Sequence, residues 1–107
     1  MRDWGKWTLE EAIRRLTMLP AGLVGLRERG AILPGWAADL FVFDPLTIRP
    51  ARKEFVRDFP NGVGRWTTRP EGVHATIVNG VPIVKDGELV PGCGHPGQVL
   101  SPAKPAA

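Results

Sequence analysis

The chain has 107 residues, among them 13 glycines and 11 prolines, with 14 lysines and arginines set against 11 acids. That length suits one small domain and leaves no room for a second full core; the composition shows neither a collagen period nor a disordered bias. A formal net charge of +3 reads as a solvated surface with a few ion pairs rather than a nucleic-acid footprint, although ten of the fourteen cations are arginine and several fall between Arg49 and Arg69.

The single cysteine excludes an intrachain disulfide and makes a reducing cytoplasm the default setting. No apolar run is long enough to span a bilayer, so no membrane partner is expected, and "MRDWGKW" lacks the apolar segment of a signal peptide.

Residues 8–19, "TLEEAIRRLTML", predict a helix. Thr8 and Glu11 have capping-box spacing, with the hydroxyl accepting from a first-turn amide and the carboxylate reaching back to the cap. Early acids and the later Arg14 and Arg15 suit the helix dipole. Leu9, Ala12, Ile13 and Leu16 form one apolar stripe, and Pro20 is expected to stop the helix. "AGLVGLRERG" adds at most a short helical turn before Gly30.

"LPGWA" reads as a turn with positive φ at Gly35. The strand Leu40–Asp44 follows, closed by Asp44-Pro45, and it is apolar on both faces: Leu40 and Val42 on one, Phe41 and Phe43 on the other. Residues 46–72 show no sustained period and read as an irregular excursion with a helical turn near Lys53–Arg57. A loop that long in a small domain is functional or packed against something.

"HATIVNGVPIVKDGELV" predicts a hairpin on a type I′ turn at Asn79-Gly80, closed by Val78 and Val81. Alternation then points the amide of Lys85 at the first strand of the hairpin. A second two-residue turn at Asp86-Gly87 would have the wrong parity. A three-residue loop, Lys85-Asp86-Gly87, closed by Val84 and Glu88 removes the conflict and requires positive φ at Gly87. Pro82 cannot donate to the third strand, which should therefore be short. This meander is again two-sided, with Val78, Val81 and Ile83 on one face and Ile77 and Val84 on the other. The fold class is thus α+β and β-rich, an N-terminal helix followed by a small antiparallel meander; its cover is either the Thr8 helix with the long loop or, in the sharper reading, chain that this sequence does not supply.

"LPGWAADLFVFDP" followed by "GVHATIVNGVPIVKDGELVPGCGHPGQVL" resembles the C-terminal end of the amidohydrolase superfamily, nearest to enzymes of the D-aminoacylase (N-acyl-D-amino-acid deacylase) type. That family commonly shows "G.I.PG..ADLVVFDP", then "DFP.G..RW", "GI..TIVNG", a "DGE" turn and "G..PGR.L". "WTLEEAIRRLTMLPAGLVGLRERG" is similar to its "LEEAVR..TSLPA..FGL.DRG" stretch, so the match runs from about Arg2 to Leu100. The resemblance implies residues 1–29 as the last barrel helices, 30–100 as the C-terminal share of a small β-domain, and 101–107 as a disordered tail. It also implies a metal-dependent (β/α) barrel that is not in this sequence, with zinc held by a His-x-His pair, further histidines and an aspartate.

No such ligand set can be carried over: the chain has His74 and His95 and no His-x-His. No catalytic, cofactor-binding or metal-binding residue is therefore assigned, and the chain alone is expected to be inactive. Cys93 and His95 in "PGCGHPG" are too few for a metal site, and Cys93 has no recognisable base. Asp39 and Asp44 stand at opposite ends of a strand, about 16 Å apart and beyond carboxylate pairing; Asp44 suits a turn and Asp39 a loop-to-strand acceptor. Trp7 sits at the staple position before Thr8, Trp36 and Trp66 would seat the long loop, and Trp4 adds a fourth indole. Asn79, Gly80, Asp86 and Gly87 are turn residues rather than a phosphate cradle. The expected partners are a second copy of the chain or the missing barrel and N-terminal strands.

Overall fold

A computed structural model describes residues 5–101; the expected tail beyond Ser101 and the indole of Trp4 lie outside the described residues. Helix α1 spans Leu9–Leu16, and the Thr8 hydroxyl accepts from the Glu11 amide at 3.2 Å, as the cap spacing predicts. The second arm of the capping box is replaced. The Glu11 carboxylate turns down the helix to accept from Arg15 Nε at 2.9 Å, where two cations one turn on outbid a single backbone amide.

Pro20 breaks the helix three residues earlier than expected and then lies inside the next one. Its ring is incompatible with a helical carbonyl four residues back, at Leu16, which is where α1 ends. Helix α2, Met18–Leu23, then takes Pro20 in its first turn, where an amide would have no partner anyway. Beyond it Leu26 N–H donates to Ala21 O at 2.9 Å and Gly25 to Gly22 O at 3.3 Å, a Schellman ending with Gly25 at φ 73°. Gly30 closes over this pair: a Cβ there would meet Ala21 Cβ at 3.0 Å and Thr17 O at 3.1 Å.

Four strands form the main antiparallel sheet: β1 Leu40–Phe43, β6 Val73–Val78, β7 Val81–Lys85 and β8 Glu88–Leu89, in the order β1-β6-β7-β8. The fold is therefore the small α+β, β-rich meander the sequence predicts. Gly35 has φ 81°, and Asn79 and Gly80 have φ 47° and 79°, as their turns require. Strand β8 is two residues long, in keeping with Pro82 beside it.

The second turn differs from the sequence reading. Lys85 pairs with Glu88, so the connection is the two-residue Asp86-Gly87 turn, with φ 50° and 83°. The parity conflict is resolved upstream, because Ile77 pairs with Pro82 and Thr76 with Val84, leaving Ile83 as a bulged extra residue. The bulge also reassigns the faces. Val84 shares the face of Thr76, Val78 and Val81, not that of Ile77.

The stretch 46–72 is not irregular. Strands β2 Arg49–Pro50 and β5 Pro70–Glu71 pair, and beyond them β3 Glu54–Val56 pairs with β4 Arg65–Thr67, all antiparallel. Together they make one long hairpin, here called the arm, bent over a 3-10 turn at Pro60–Gly62. Where a helical turn is expected near Lys53–Arg57, the chain instead forms strand β3, Glu54–Val56. Its alternation escapes detection because charged residues occupy both faces and the strands are only two or three residues long. Gly72 seats the arm's base, since a Cβ there would lie 2.6 Å from Ile48 N.

Only Ala12 and Ala21 are buried apolar residues among those described. The accessible surface is 8992 Å², whereas a compact monomer of this length exposes about 5,900 Å². The two-sided strand is uncovered in fact: Phe41 is 54% and Val42 43% exposed, one on each face.

Candidate functional site

An apolar groove of about 920 Å³ lies between α1 and the sheet. Leu9, Ala12, Ile13 and Leu16 line one wall, and Phe41, Phe43 and Ile48 the other. The stripe predicted on the helix and the phenylalanine face of β1 thus look at each other across space that neither fills. Phe41 and Phe43 stack at 5.5 Å between ring centres, an i, i+2 pair on one face of a strand. Trp7 borders the groove, and the Arg15 guanidinium lies over its ring at 4.7 Å.

The outer edge of β1 has no strand partner among the described residues. Gly80 N–H donates to Ala38 O at 2.9 Å and Asp44 N–H to Gly72 O at 2.8 Å, which fixes the alternation between them. Residues 38, 40, 42 and 44 therefore face β6, and the amides and carbonyls of Phe41 and Phe43 point away from it.

Asp39 is the loop-to-strand acceptor the sequence predicts. One oxygen accepts from the Asn79 amide at 2.8 Å and the other from Arg29 Nε at 3.0 Å, so it pins the 27–39 loop to the hairpin turn. Asn79 adds a bond of its own, donating from Nδ2 to Pro96 O at 2.7 Å. Arg29 and Pro96 carry no motif that sequence reading could have flagged.

Asp44 forms the expected turn, accepting from the Leu46 amide at 2.8 Å. That bond, with the Thr47 hydroxyl and nearby His74, holds its carboxyl below the usual carboxylate range. His74 is an exposed bulged residue of β6, skipped in the β1 pairing, and its carbonyl accepts from Asp86 N–H at 2.9 Å. Asp39 and Asp44 thus serve separate structural ends of β1.

Among the described residues no group of three or more His, Cys, Asp or Glu stands close enough to hold a metal ion. Cys93 is half-buried with its thiol 3.6 Å from Gly94 O, and His95 is exposed. The donor set for the zinc that the family resemblance implies is not supplied here, so no reaction step is assigned to these side chains. No described helix is long and apolar enough to cross a membrane.

Trp66 corrects an expectation. It stands 69% exposed on the arm, opposite Phe55 with ring centres 5.4 Å apart, so it braces the arm internally and does not seat it on the sheet. Trp36 is half-buried in the turn that its own amide closes onto Leu33 O at 3.1 Å. At the arm's tip Asp58 accepts from Arg65 through both oxygens, at 2.9 and 2.7 Å. This pairing lowers the Asp58 carboxyl's pKa and raises that of the guanidinium.

Comparison with known proteins gives the family: the profile of the amidohydrolase family matches residues 1–84. The chain belongs to the amidohydrolase family. It is 35% identical to the D-aminoacylase of Alcaligenes xylosoxydans xylosoxydans over 100 residues, which cover 94% of this chain and 18% of that protein. It is 36% identical to the N-acyl-D-aspartate deacylase of the same organism, covering 94% of this chain and 21% of that one. This amidohydrolase chain therefore spans about a fifth of the length of the curated relatives it matches. No solved structure matches it.

Proposed function

We propose that the chain is the C-terminal, non-catalytic portion of a metal-dependent amidohydrolase that hydrolyses the amide C–N bond of N-acyl-D-amino acids. Its work is mechanical: it completes a small β-domain and braces the end of a barrel carried elsewhere in the polypeptide. One observation carries this reading. The apolar faces of α1 and β1 confront each other across about 920 Å³ of unfilled groove, in a chain that matches a fifth of its relatives. Burying apolar surface of this kind is worth about 25 cal/mol per Å², so the wall residues gain their stability when further chain enters. The lone Cys93 supports a reducing, cytoplasmic setting.

The test compares the purified 107-residue chain with the polypeptide encoded by the whole surrounding reading frame, assaying release of free D-amino acid from N-acetyl-D-amino acids. The chain alone should show no turnover with or without added zinc. The whole polypeptide should be active, lose activity to a chelator and regain it with zinc. Metal-dependent deacylation by the isolated chain would contradict the proposal.

The open edge of β1 favours a second reading, a free-standing module that pairs with a copy of itself. Sedimentation would then show a concentration-dependent dimer, and a folded monomer at high concentration would exclude it.

A further inference from the structure

The arm carries features the completed-domain reading does not use. Residues 49–71 hold six cations against three acids, and the remaining positions hold eight of each, so the whole formal net charge of +3 resides on the arm. Arg49 pairs with Glu71 and Arg65 with Asp58, whereas Arg52, Lys53 and Arg69 form no ion pair among the described residues.

The same arm presents a preset aromatic pair. Phe55 and Trp66 are direct cross-strand partners, exposed at 49% and 69%, and Arg57 stacks on the Phe55 ring at 5.4 Å. The ring is held down over Gly64, where a Cβ would come within 2.2 Å of Phe55 Cζ. Exposed aromatics fixed before contact lose little entropy on docking, and Trp and Arg are the residues that dominate interface energies.

We propose that the Phe55–Trp66 face of the arm, which also carries the cations Arg52, Lys53 and Arg69, clamps onto an acid-rimmed apolar surface on the remainder of the same amidohydrolase polypeptide. This rests on the reading of the chain as one portion of that enzyme. Two observations select the occupant. The family profile spans the entire arm, so the arm belongs to what the chain shares with the family rather than to an insertion serving a private partner. The unbalanced positive charge disfavours a second arm as the mate and favours an acidic surface. Within one polypeptide the contact also has the advantage of a high effective concentration.

Hydroxyl-radical footprinting of the isolated chain and of the whole polypeptide, read by mass spectrometry, tests this. Oxidation of Phe55 and Trp66 should fall at least tenfold in the whole polypeptide. It should recover at least fivefold in a whole-polypeptide variant carrying Arg52→Glu, Lys53→Glu and Arg69→Glu. Phe41 reports on the groove and serves as the folding control. Protection of Phe41 without protection of Phe55 and Trp66 overturns the clamp and leaves the enzyme-portion reading standing. No protection at any of the three overturns both. Protection that rises with protein concentration assigns the face to a second copy, protection that appears only with added RNA or DNA assigns it to nucleic acid, and either result overturns the clamp. Full protection in the triple variant overturns the role given to the cations.

Discussion

Replacing Asp39 with alanine removes two bonds at once, to the Asn79 amide at 2.8 Å and to Arg29 Nε at 3.0 Å. A hydrogen bond to a charged group is worth about 1.5–3 kcal/mol, and an exposed ion pair adds at most about 1 kcal/mol. The Asp39 side chain is 37% exposed, which argues for the lower part of that range. The expected local loss is about 2 kcal/mol, or about 30-fold in an opening equilibrium. Amide hydrogen exchange reads it directly: Asn79, and Ala37, whose amide closes the pinned loop onto Glu28 O, should exchange about 30-fold faster, while Thr76 in the middle of β6 changes little. Asp39→Asn keeps an acceptor for Asn79 and loses the charge, so it should fall near threefold to tenfold. Unchanged exchange at Asn79, or acceleration of every amide alike, would refute the assignment of Asp39 as a local pin.

Gly72→Ala should cost about 2–3 kcal/mol: φ 81° strains any L side chain, and the new Cβ would meet backbone at 2.6 Å. Urea denaturation followed by tryptophan fluorescence checks it, with a loss under about 0.5 kcal/mol contradicting the packing argument. The Asp58–Arg65 pair predicts acid sensitivity at the arm's tip. Because the folded carboxyl's pKa is depressed, its stabilisation is complete above the unfolded value near 4 and is lost as pH falls through the lower folded value. Exchange of the 57–65 amides should therefore rise, relative to intrinsic rates, only below about pH 4, and Asp58→Asn should abolish that rise.

Local chemistry was legible wherever one residue decides the backbone. Thr8, Gly35, Asn79-Gly80 and Asp44 each behave as their side chains dictate, because a cap or turn is settled within four residues. Pro20 acts at two places that a stop signal alone does not convey: its ring ends a helix four residues back, and its missing amide suits the start of another. The bulge at Ile83 was hidden because both of its neighbours are apolar, so either register buries something. The arm was hidden for a different reason. Its strands are short, its charges fall on both faces, and the pairing of Phe55 with Trp66 depends on ten residues of intervening chain closing correctly. The groove was foreseeable only as a deficit. A strand apolar on both faces announces missing cover, but which helix stripe stands opposite it is a tertiary fact.

The most direct test of the account is hydrogen exchange along β1 in the isolated chain at a concentration where it is monomeric. The amides of Phe41 and Phe43 point away from β6 and should exchange at nearly the rate of an unstructured peptide, while those of Leu40 and Val42 are protected. In the whole polypeptide all four should be slow. Equal, strong protection of all four in the monomeric chain would mean that its own residues already cover that edge, and the account of an unfinished domain would be wrong.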